Sequence, residues 1–382
     1  MRPIRALFVS EGIHGRQILG PEAFDAALRL GLHGRSDIEA RFLQVGPAGL
    51  PGRALTRPVP LLHRADLDFH HLRWFTVHGT RARRLIRAQL ARFPADVVHV
   101  NTHALTLGPS PVPPGTPLVL SADSTVWDWR TMGRSVPVRP YSHLLYGVSR
   151  RLERAALRRA DTVFAYTEWA RERLQAASPQ ACVRRRQPGI DIDHYRPTPL
   201  RPRDRHRLLF VGGRFADKGG PELVAAVAHR LGRDVELDVV TSDATAPRPG
   251  MRVHRLHRSD PLLLDLLQQA DLFCLPTFAD TMSFATMEAL ACGTPAVVSE
   301  VAGVPEIVGD AGETVPPGDV RALREAIDAL LDDPARRADL RGRGRARAER
   351  CFDARRQTEI LVDALHEITS VRGVPQAVGR GG

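Results

Sequence analysis

Lysine is almost absent from this sequence of 382 residues. Lys and Arg together number 54, and Lys218 is the one lysine, so the other 53 are arginines. Arginine therefore serves wherever a positive charge is simply needed. A lone lysine then indicates a place that requires a compact ammonium and does not fit a planar guanidinium. The alternative is that Lys218 is an accident of composition.

Cysteine and long apolar runs are also scarce. The four cysteines stand far apart, with no CxxC pair, so we expect neither a disulfide framework nor a zinc site. They are Cys182, Cys274, Cys292 and Cys351. No apolar run approaches the roughly 20 residues that span a bilayer, and the opening MRPIRALFVS has no signal-peptide pattern. The sequence therefore predicts a reduced, cytoplasmic protein.

Aromatic residues make up only 5% of the chain, although its formal net charge is +11. Basic proteins often bind nucleic acid, but here the arginines are spread over the whole length and stacking platforms are few, so we expect no nucleic-acid partner. The segment 80–93 predicts an amphipathic helix with a basic face. That face is either solvated or in peripheral contact with anionic lipid at the inner membrane face. Its residues are Arg81, Arg83, Arg84 and Arg87.

Apolar, β-rich runs alternate with helical patterns throughout the chain, which indicates parallel sheets covered on both faces. The predicted strands are 4–10, 96–100, 117–121 and 161–167 in the first half, and 207–213, 235–240, 270–276 and 295–300 in the second. Between them, 144–160 predicts a helix that buries one face. That face consists of Leu145, Val148, Leu152 and Ala156.

The stretch 187–206 is rich in proline and charge and has no periodicity, so we interpret it as a linker. We therefore expect an α/β protein with two doubly wound, Rossmann-like domains, 1–186 and 207–352. Ligands of such domains bind at the carboxyl ends of the strands. Residues 353–370 are expected to form a helix that returns to the first domain, and 371–382 a disordered tail.

The segment FVGGRFADKGGPELVAAV (210–227) joins a predicted strand to a predicted helix. Gly212 and Gly213 let a ligand approach the backbone closely, and a helix N-terminus favours negative charge. Arg214 and the lone Lys218 beside this turn suit a diphosphate held without a metal ion. The GxxxxGK[ST] order of a Walker loop is absent. The alternative is an ordinary turn with solvated charges.

The segment DTMSFATME (280–288) has a carboxylate at each end and no charge between them. Ser283 is the predicted N-cap of a helix over 284–292, which Gly293 ends. Asp280 then precedes the helix and Glu288 lies inside it, so the two acids can accept hydrogen bonds from two sets of hydroxyls on one elongated ligand. The alternative is a loop acid and a surface acid without a shared role.

The residues of these two segments resemble the motifs of a known protein family. With ALACGTPAVV (289–298) and AGVPEIV (302–308), the two acids resemble the E-x7-E signature of retaining glycosyltransferase family 4, and GGRFADKGG (212–220) resembles its diphosphate clamp. The resemblance is strong across 205–365 and weaker in the first half. It implies the GT-B fold, with two domains facing across a cleft, the first on the acceptor side and the second on the donor side. It also implies a metal-independent hexosyltransferase that moves a sugar from a nucleotide-diphosphate donor to an acceptor hydroxyl with retention of configuration.

The resemblance also implies roles for single residues. Glu288 corresponds to the acid that binds the donor ribose, Asp280 to the acid that contacts the transferred sugar, and Arg214 with Lys218 to the diphosphate pair. No separate cofactor is expected, and the acceptor is a glycan, a lipid or a small molecule. The expected donor site comprises Gly212, Gly213, Arg214, Lys218, Asp280, Ser283, Phe284, Ala285 and Glu288, and the expected catalytic residues are Arg214, Lys218, Asp280 and His103.

The sequence departs from the family's pattern at three positions. Asp280 stands where the family usually has Glu, Ser283 where it usually has Gly, and Asp123 near the place where it often has His. The alternative that these departures favour is a non-catalytic protein of the same fold that binds a nucleotide or a glycan.

Six further residues lie outside these two segments. His14, Gly15 and Asp123 are expected to line the acceptor side of the cleft, and His99 is expected to be a core histidine. Asp191 and Asp193 imitate a DxD metal motif, but they fall in the linker, where we expect them to cap the backbone and bind no metal.

Overall fold

A computed structural model describes residues 2–12, 20–132 and 138–372. The expected site residues His14 and Gly15, and all of the expected tail beyond 372, lie outside them. The first half contains a six-stranded parallel sheet with the order β2-β1-β3-β4-β5-β6. Its strands are β1 (Ile4–Glu11), β2 (Ile38–Val45), β3 (Val97–Asn101), β4 (Leu118–Ala122), β5 (Thr162–Ala165) and β6 (Val183–Arg185).

Helices cover this first sheet because its central strands are apolar on both faces. They are α1 (Gly20–Leu32), α2 (Leu50–Thr56), α3 (Pro60–Arg64), α4 (His70–Arg92), α5 (Val126–Thr131), α6 (Ser142–Leu145), α7 (Gly147–Arg159) and α8 (Glu168–Ala177). A 3-10 turn, His103–Thr106, follows β3. Ala82 and Ile86 of α4 pack in the same cluster as the strand residues, so the apolar side of α4 lies in the core.

The second half repeats the plan, with a parallel sheet in the order β12-β11-β10-β7-β8-β9. Its strands are β7 (His206–Val211), β8 (Val235–Val240), β9 (Met251–His254), β10 (Leu272–Leu275), β11 (Ala296–Ser299) and β12 (Gly312–Val315). Its helices are α9 (Gly220–Val227), α10 (Pro261–Gln269), α11 (Phe284–Ala291), α12 (Val304–Val308), α13 (Val320–Asp332) and α14 (Pro334–Cys351). The predicted α/β fold of two doubly wound domains is confirmed.

The last helix, α15 (Ala354–Val371), packs on the first half of the chain. A Cβ on Gly31 of α1 would lie 2.1 Å from Thr358 Oγ1. The Thr358 side chain of α15 therefore lies directly against the backbone of α1 at that glycine. Arg186 Nη1 also donates to the carbonyl of Gln357 at 3.2 Å. In the described part of the chain, every helix is too short or too polar to cross a bilayer.

The helix expected over 144–160 is wrong in its boundaries and in part of its buried face. It is divided at Tyr146 into α6 and α7, and Val148 is 49% exposed. The buried side of α7 carries Ala156, as expected, but also Ser149, Glu153 and Leu157, which the prediction did not include. Apolar periodicity missed part of this face because one of its central residues, Glu153, is a buried carboxylate that serves as a hydrogen-bond acceptor.

Candidate functional site

The glycine-rich turn after β7 holds Lys218 against the loop that follows β10. Lys218 Nζ donates to the carbonyl of Ala279 at 2.8 Å and to Asp280 Oδ2 at 2.7 Å. Gly219 has φ +78°, and a Cβ there would lie 1.9 Å from the carbonyl oxygen of Pro276. A Cβ on Gly212 would lie 3.0 Å from Lys218 Cβ. The turn is therefore tight around the lysine stem.

Arg214 lies on the same turn, and its side chain is more exposed to solvent than that of Lys218. Its Nη1 atom is 2.9 Å from Asp217 Oδ2, and about half of its side chain is exposed. Arg214 and Asp217 line a cavity of about 270 Å³ that Asp66, His70 and other first-half residues close from the opposite side. Arg214 thus faces the space between the domains, and each of the two cations of the turn is paired with one carboxylate.

Helix α11 begins where the sequence predicts. Ser283 Oγ accepts from the amide of Thr286 at 3.2 Å, and Gly293 follows the helix with φ +73°. The amides of Phe284 and Ala285 belong to the first turn of the helix, where N–H groups have no intrahelical acceptor. This end of α11 therefore presents donors and the positive end of the helix dipole beside Asp280.

Glu288 is buried and already has a charged partner. Arg258 Nη2 lies 2.7 Å from Glu288 Oε1, and Tyr195 lies close to the same carboxylate. Burial raises the pKa of Glu288, and the positive charge of Arg258 opposes that rise. Sequence reasoning missed Arg258, which lies in the loop between β9 and α10. That loop carries no motif, and Arg258 is one arginine among 53.

Asp123 of the first domain meets the second domain directly. Its Oδ2 atom accepts from the Thr281 hydroxyl at 2.6 Å, and its Oδ1 atom accepts from Ser124 Oγ at 3.0 Å. Asp123 follows β4 and Thr281 follows β10, so the carboxyl edges of the two sheets face each other at this bond. The residue expected on the acceptor side is therefore also a contact between the domains.

The histidines after β3 have different surroundings. His99 is fully buried, its Nε2 atom bonds Ser121 Oγ at 2.8 Å, and burial lowers its pKa to about 3. It is the core histidine that the sequence predicts. His103 is also buried, with its Nε2 atom 2.8 Å from Glu153 Oε1. Its Nδ1 atom has no hydrogen-bond partner within the described ranges.

A cavity of about 610 Å³ lies between His103 and α11. Its wall contains Asp123 and Asp280 together with an aromatic set: Phe24, Trp74, Phe75, Trp129, Tyr166 and Phe284. Two more wall residues, His70 and His71, also line the smaller cavity. Burial lowers the pKa of His71 to about 4, so this side chain is neutral at pH 7. The wall of this cavity therefore combines a few polar groups with large, flat apolar surfaces.

The remaining predicted groups lie apart from the cavities. Asp191 Oδ1 accepts from the amides of Asp193 and His194 at 3.1 and 3.0 Å, and Asp193 pairs with Arg355 at 2.8 Å. Both acids of the DxD pattern are thus engaged in the linker. On α4, Arg83 donates to a backbone carbonyl, while Arg84 and Arg87 are exposed.

Two family models match the chain, one described as Glycosyltransferase Family 4 over residues 35–194 and one as Glycosyl transferases group 1 over 205–333. The chain is 34% identical over 178 residues to the MMP alpha-(1->4)-mannosyltransferase of Mycolicibacterium hassiacum, covering 43% of each chain. It is 29% identical over 282 residues to the alpha-maltose-1-phosphate synthase of Mycolicibacterium smegmatis, covering 63% of this chain and 69% of that one. The chain spans about half the length of several curated relatives that it matches.

Solved structures share the two-domain architecture. A sucrose-phosphate synthase from Thermosynechococcus elongatus superposes with a TM-score of 0.70 at 18% identity, over 96% of this chain and all of that one. An Anabaena protein in complex with UDP and glucose superposes with a TM-score of 0.63 at 16% identity, over 95% and 99% of the two chains. At sequence identities of 18% and 16%, the structural similarity is evidence for the fold alone.

Proposed function

We propose that this chain, which belongs to the family 4-like glycosyltransferases of the GT-B fold, transfers a sugar from a nucleotide-diphosphate donor to an acceptor hydroxyl. The observation that carries the proposal is the meeting of Lys218, Asp280 and the N-terminus of α11 at the carboxyl ends of β7 and β10, which are neighbours in the sheet. Anionic ligands of open α/β sheets bind at this edge.

The donor diphosphate would lie between the glycine-rich turn and α11. An ammonium has three N–H donors, and Lys218 uses two of them on Ala279 and Asp280. The third is available for a phosphate oxygen, with Arg214 and the first amides of α11 beside it. As the sugar departs, negative charge grows on the diphosphate, and donors already fixed in place stabilise it.

The donor ribose would bond Glu288, which Arg258 holds in position. The acceptor would occupy the cavity of about 610 Å³ beside His103, where Asp123 can receive its hydroxyl and the aromatic walls can hold its apolar faces. Transfer of a hexosyl group with retention of configuration and without a metal ion completes the proposal. We also propose a cytoplasmic location.

A second candidate is a non-catalytic protein of the same fold that binds a nucleotide or a glycan. The bonds Lys218–Asp280 and Asp123–Thr281 favour it, because both carboxylates expected to meet the substrates already have partners.

Binding of nucleoside diphosphates and transfer of a sugar are tested in two steps. Thermal shift with UDP, GDP and ADP in excess chelator should give one diphosphate that raises the melting temperature, and calorimetry then gives its affinity. With the matching nucleotide sugar and an accepted alcohol, the anomeric proton signal of the product should show the donor's configuration. Stabilisation only with added Mg²⁺ or Mn²⁺, or a product of inverted configuration, would overturn those parts of the proposal.

A further inference from the structure

One segment of the first domain exposes far more apolar surface than its neighbours. Across residues 50–69, which we call the leucine-rich surface, helix α2 has no buried residue, and Leu50 and Leu61 are 82% and 80% exposed. The large apolar side chains exposed there are Leu50, Leu55, Val59, Leu61, Leu62, Leu67 and Phe69. An apolar patch of this density on a protein surface marks an interaction site.

The opposite side of the same segment is buried and makes polar contacts with the rest of the first domain. Asp66 accepts from Arg130 Nη2 at 2.8 Å, and Asp68 lies 3.2 Å from His63 Nδ1 and 3.4 Å from Arg73 Nη2. Both acids are buried and line the smaller cavity. The segment therefore has an inner side at the cleft, where Phe69 lines the cavity beside the two acids, and an outer side that exposes the leucines.

The charge of the outer side has one sign. No acid occurs between residues 46 and 65, whereas Arg53 and Arg57 are exposed. Exposed leucines among arginines, without a carboxylate, match an anionic bilayer interface, where apolar side chains enter the acyl boundary and guanidinium groups meet phosphates. Helix α4 is a poorer candidate, because Ala82 and Ile86 of its apolar side are already packed in the core.

We propose that the leucine-rich surface docks the first domain on an anionic membrane. Docking places the mouth of the cleft, at residues 63–71, beside the lipid surface, so that an acceptor carried by the membrane reaches the cavity without leaving it. The docking itself does not depend on the transfer activity and is measured without any nucleotide sugar.

The test is co-sedimentation of the full chain with vesicles of phosphatidylcholine alone or mixed with phosphatidylglycerol. The wild type should bind the anionic vesicles, and added salt should weaken binding. Leu61→Ser/Leu62→Ser should lower the partition coefficient about tenfold or more, because two leucines no longer enter the bilayer. Arg53→Gln/Arg57→Gln should lower it about fivefold for each arginine.

The matched control is Leu262→Ser on α10 of the second domain, where the leucine is 42% exposed against 46% for Leu62. It should bind vesicles like the wild type, and all variants should keep the wild-type melting temperature. Equal binding of the wild type and Leu61→Ser/Leu62→Ser would overturn the proposal. A wild-type dimer that this variant converts to a monomer, without vesicle binding by either, would also overturn it and make the surface a contact between copies.

Discussion

Arg258 and Glu288 show how a single residue outside any motif can complete a candidate binding site. A carboxylate removed from water favours its neutral form, and here burial raises the pKa of Glu288. Arg258 lies at 2.7 Å and compensates a negative charge that would otherwise be buried alone. The sequence indicates Glu288 through its spacing from Asp280. It cannot indicate Arg258, because the chain must fold before the loop after β9 meets α11.

Replacing Glu288 tests the ribose assignment. Glu288→Gln keeps the size of the side chain but loses the charge, and each charge-assisted hydrogen bond contributes about 1.5–3 kcal/mol. We expect the affinity for the preferred nucleoside diphosphate to fall about tenfold to a hundredfold in calorimetry. The control Glu313→Gln removes an acid of the same domain that pairs with Arg336, and it should bind like the wild type. An unchanged affinity in Glu288→Gln would refute the assignment.

At the scale of elements, position in the sheet decides which strands the sequence reveals. The interior strands β1, β3, β4 and β5, and likewise β7, β8, β10 and β11, are the predicted ones. Those that the apolar pattern missed are the sheet edges, β2, β6, β9 and β12. An edge strand is covered on fewer sides, so polar side chains are tolerated and no continuous apolar run forms. The VRR of β6 is an example, with two exposed arginines.

The N-cap of α11 gives a prediction at the same scale. Ser283 is buried and its Oγ atom accepts from the amide of Thr286 at 3.2 Å and its hydroxyl at 2.8 Å. Ser283→Ala should lower the free energy of unfolding by about 1 kcal/mol, whereas Ser283→Gly should lower it by only a few tenths, since glycine is tolerated as an N-cap. Melting temperatures should therefore rank wild type, then Gly, then Ala. A Gly variant that melts below the Ala variant would contradict this account of the cap.

At the scale of the whole molecule, the domains are joined by carboxylates of opposite halves. Asp123 reaches Thr281 from the first domain, and Glu306 of the second accepts from the amides of Glu168 and Trp169 at 2.7 Å each. Those amides form the N-terminus of α8, where a negative charge is stabilised by the helix dipole. A Cβ on Gly303 would lie 2.5 Å from Thr167 Cγ2, so the domains also touch closely there. The two domains are therefore in direct contact with each other, an arrangement that we call closed.

Removing the Glu306 contact should open the molecule. Two charge-assisted hydrogen bonds are worth about 1.5–3 kcal/mol each, which is comparable with the few kcal/mol that separate conformations in many two-state proteins. We expect Glu306→Ala to have a larger radius of gyration than the wild type in small-angle X-ray scattering. Glu300→Ala, an exposed acid of the same domain, is the control. Identical scattering of Glu306→Ala and wild type would show that closure does not depend on this contact.

The most direct measurement of the central claim is release of nucleoside diphosphate from a nucleotide sugar, in excess chelator, by wild type, Lys218→Arg and Lys218→Ala. The lysine stem is packed against Gly212, and its ammonium bonds both the Ala279 carbonyl and Asp280, so we expect the planar guanidinium of arginine to lose this pair of bonds. We predict turnover in the wild type and a loss of roughly 10²–10³-fold in both variants, as for other fixed donors to a developing anion, at an unchanged melting temperature. Binding without release by the wild type would contradict the claim of an enzyme. Full turnover in Lys218→Arg would contradict the role of the lone lysine.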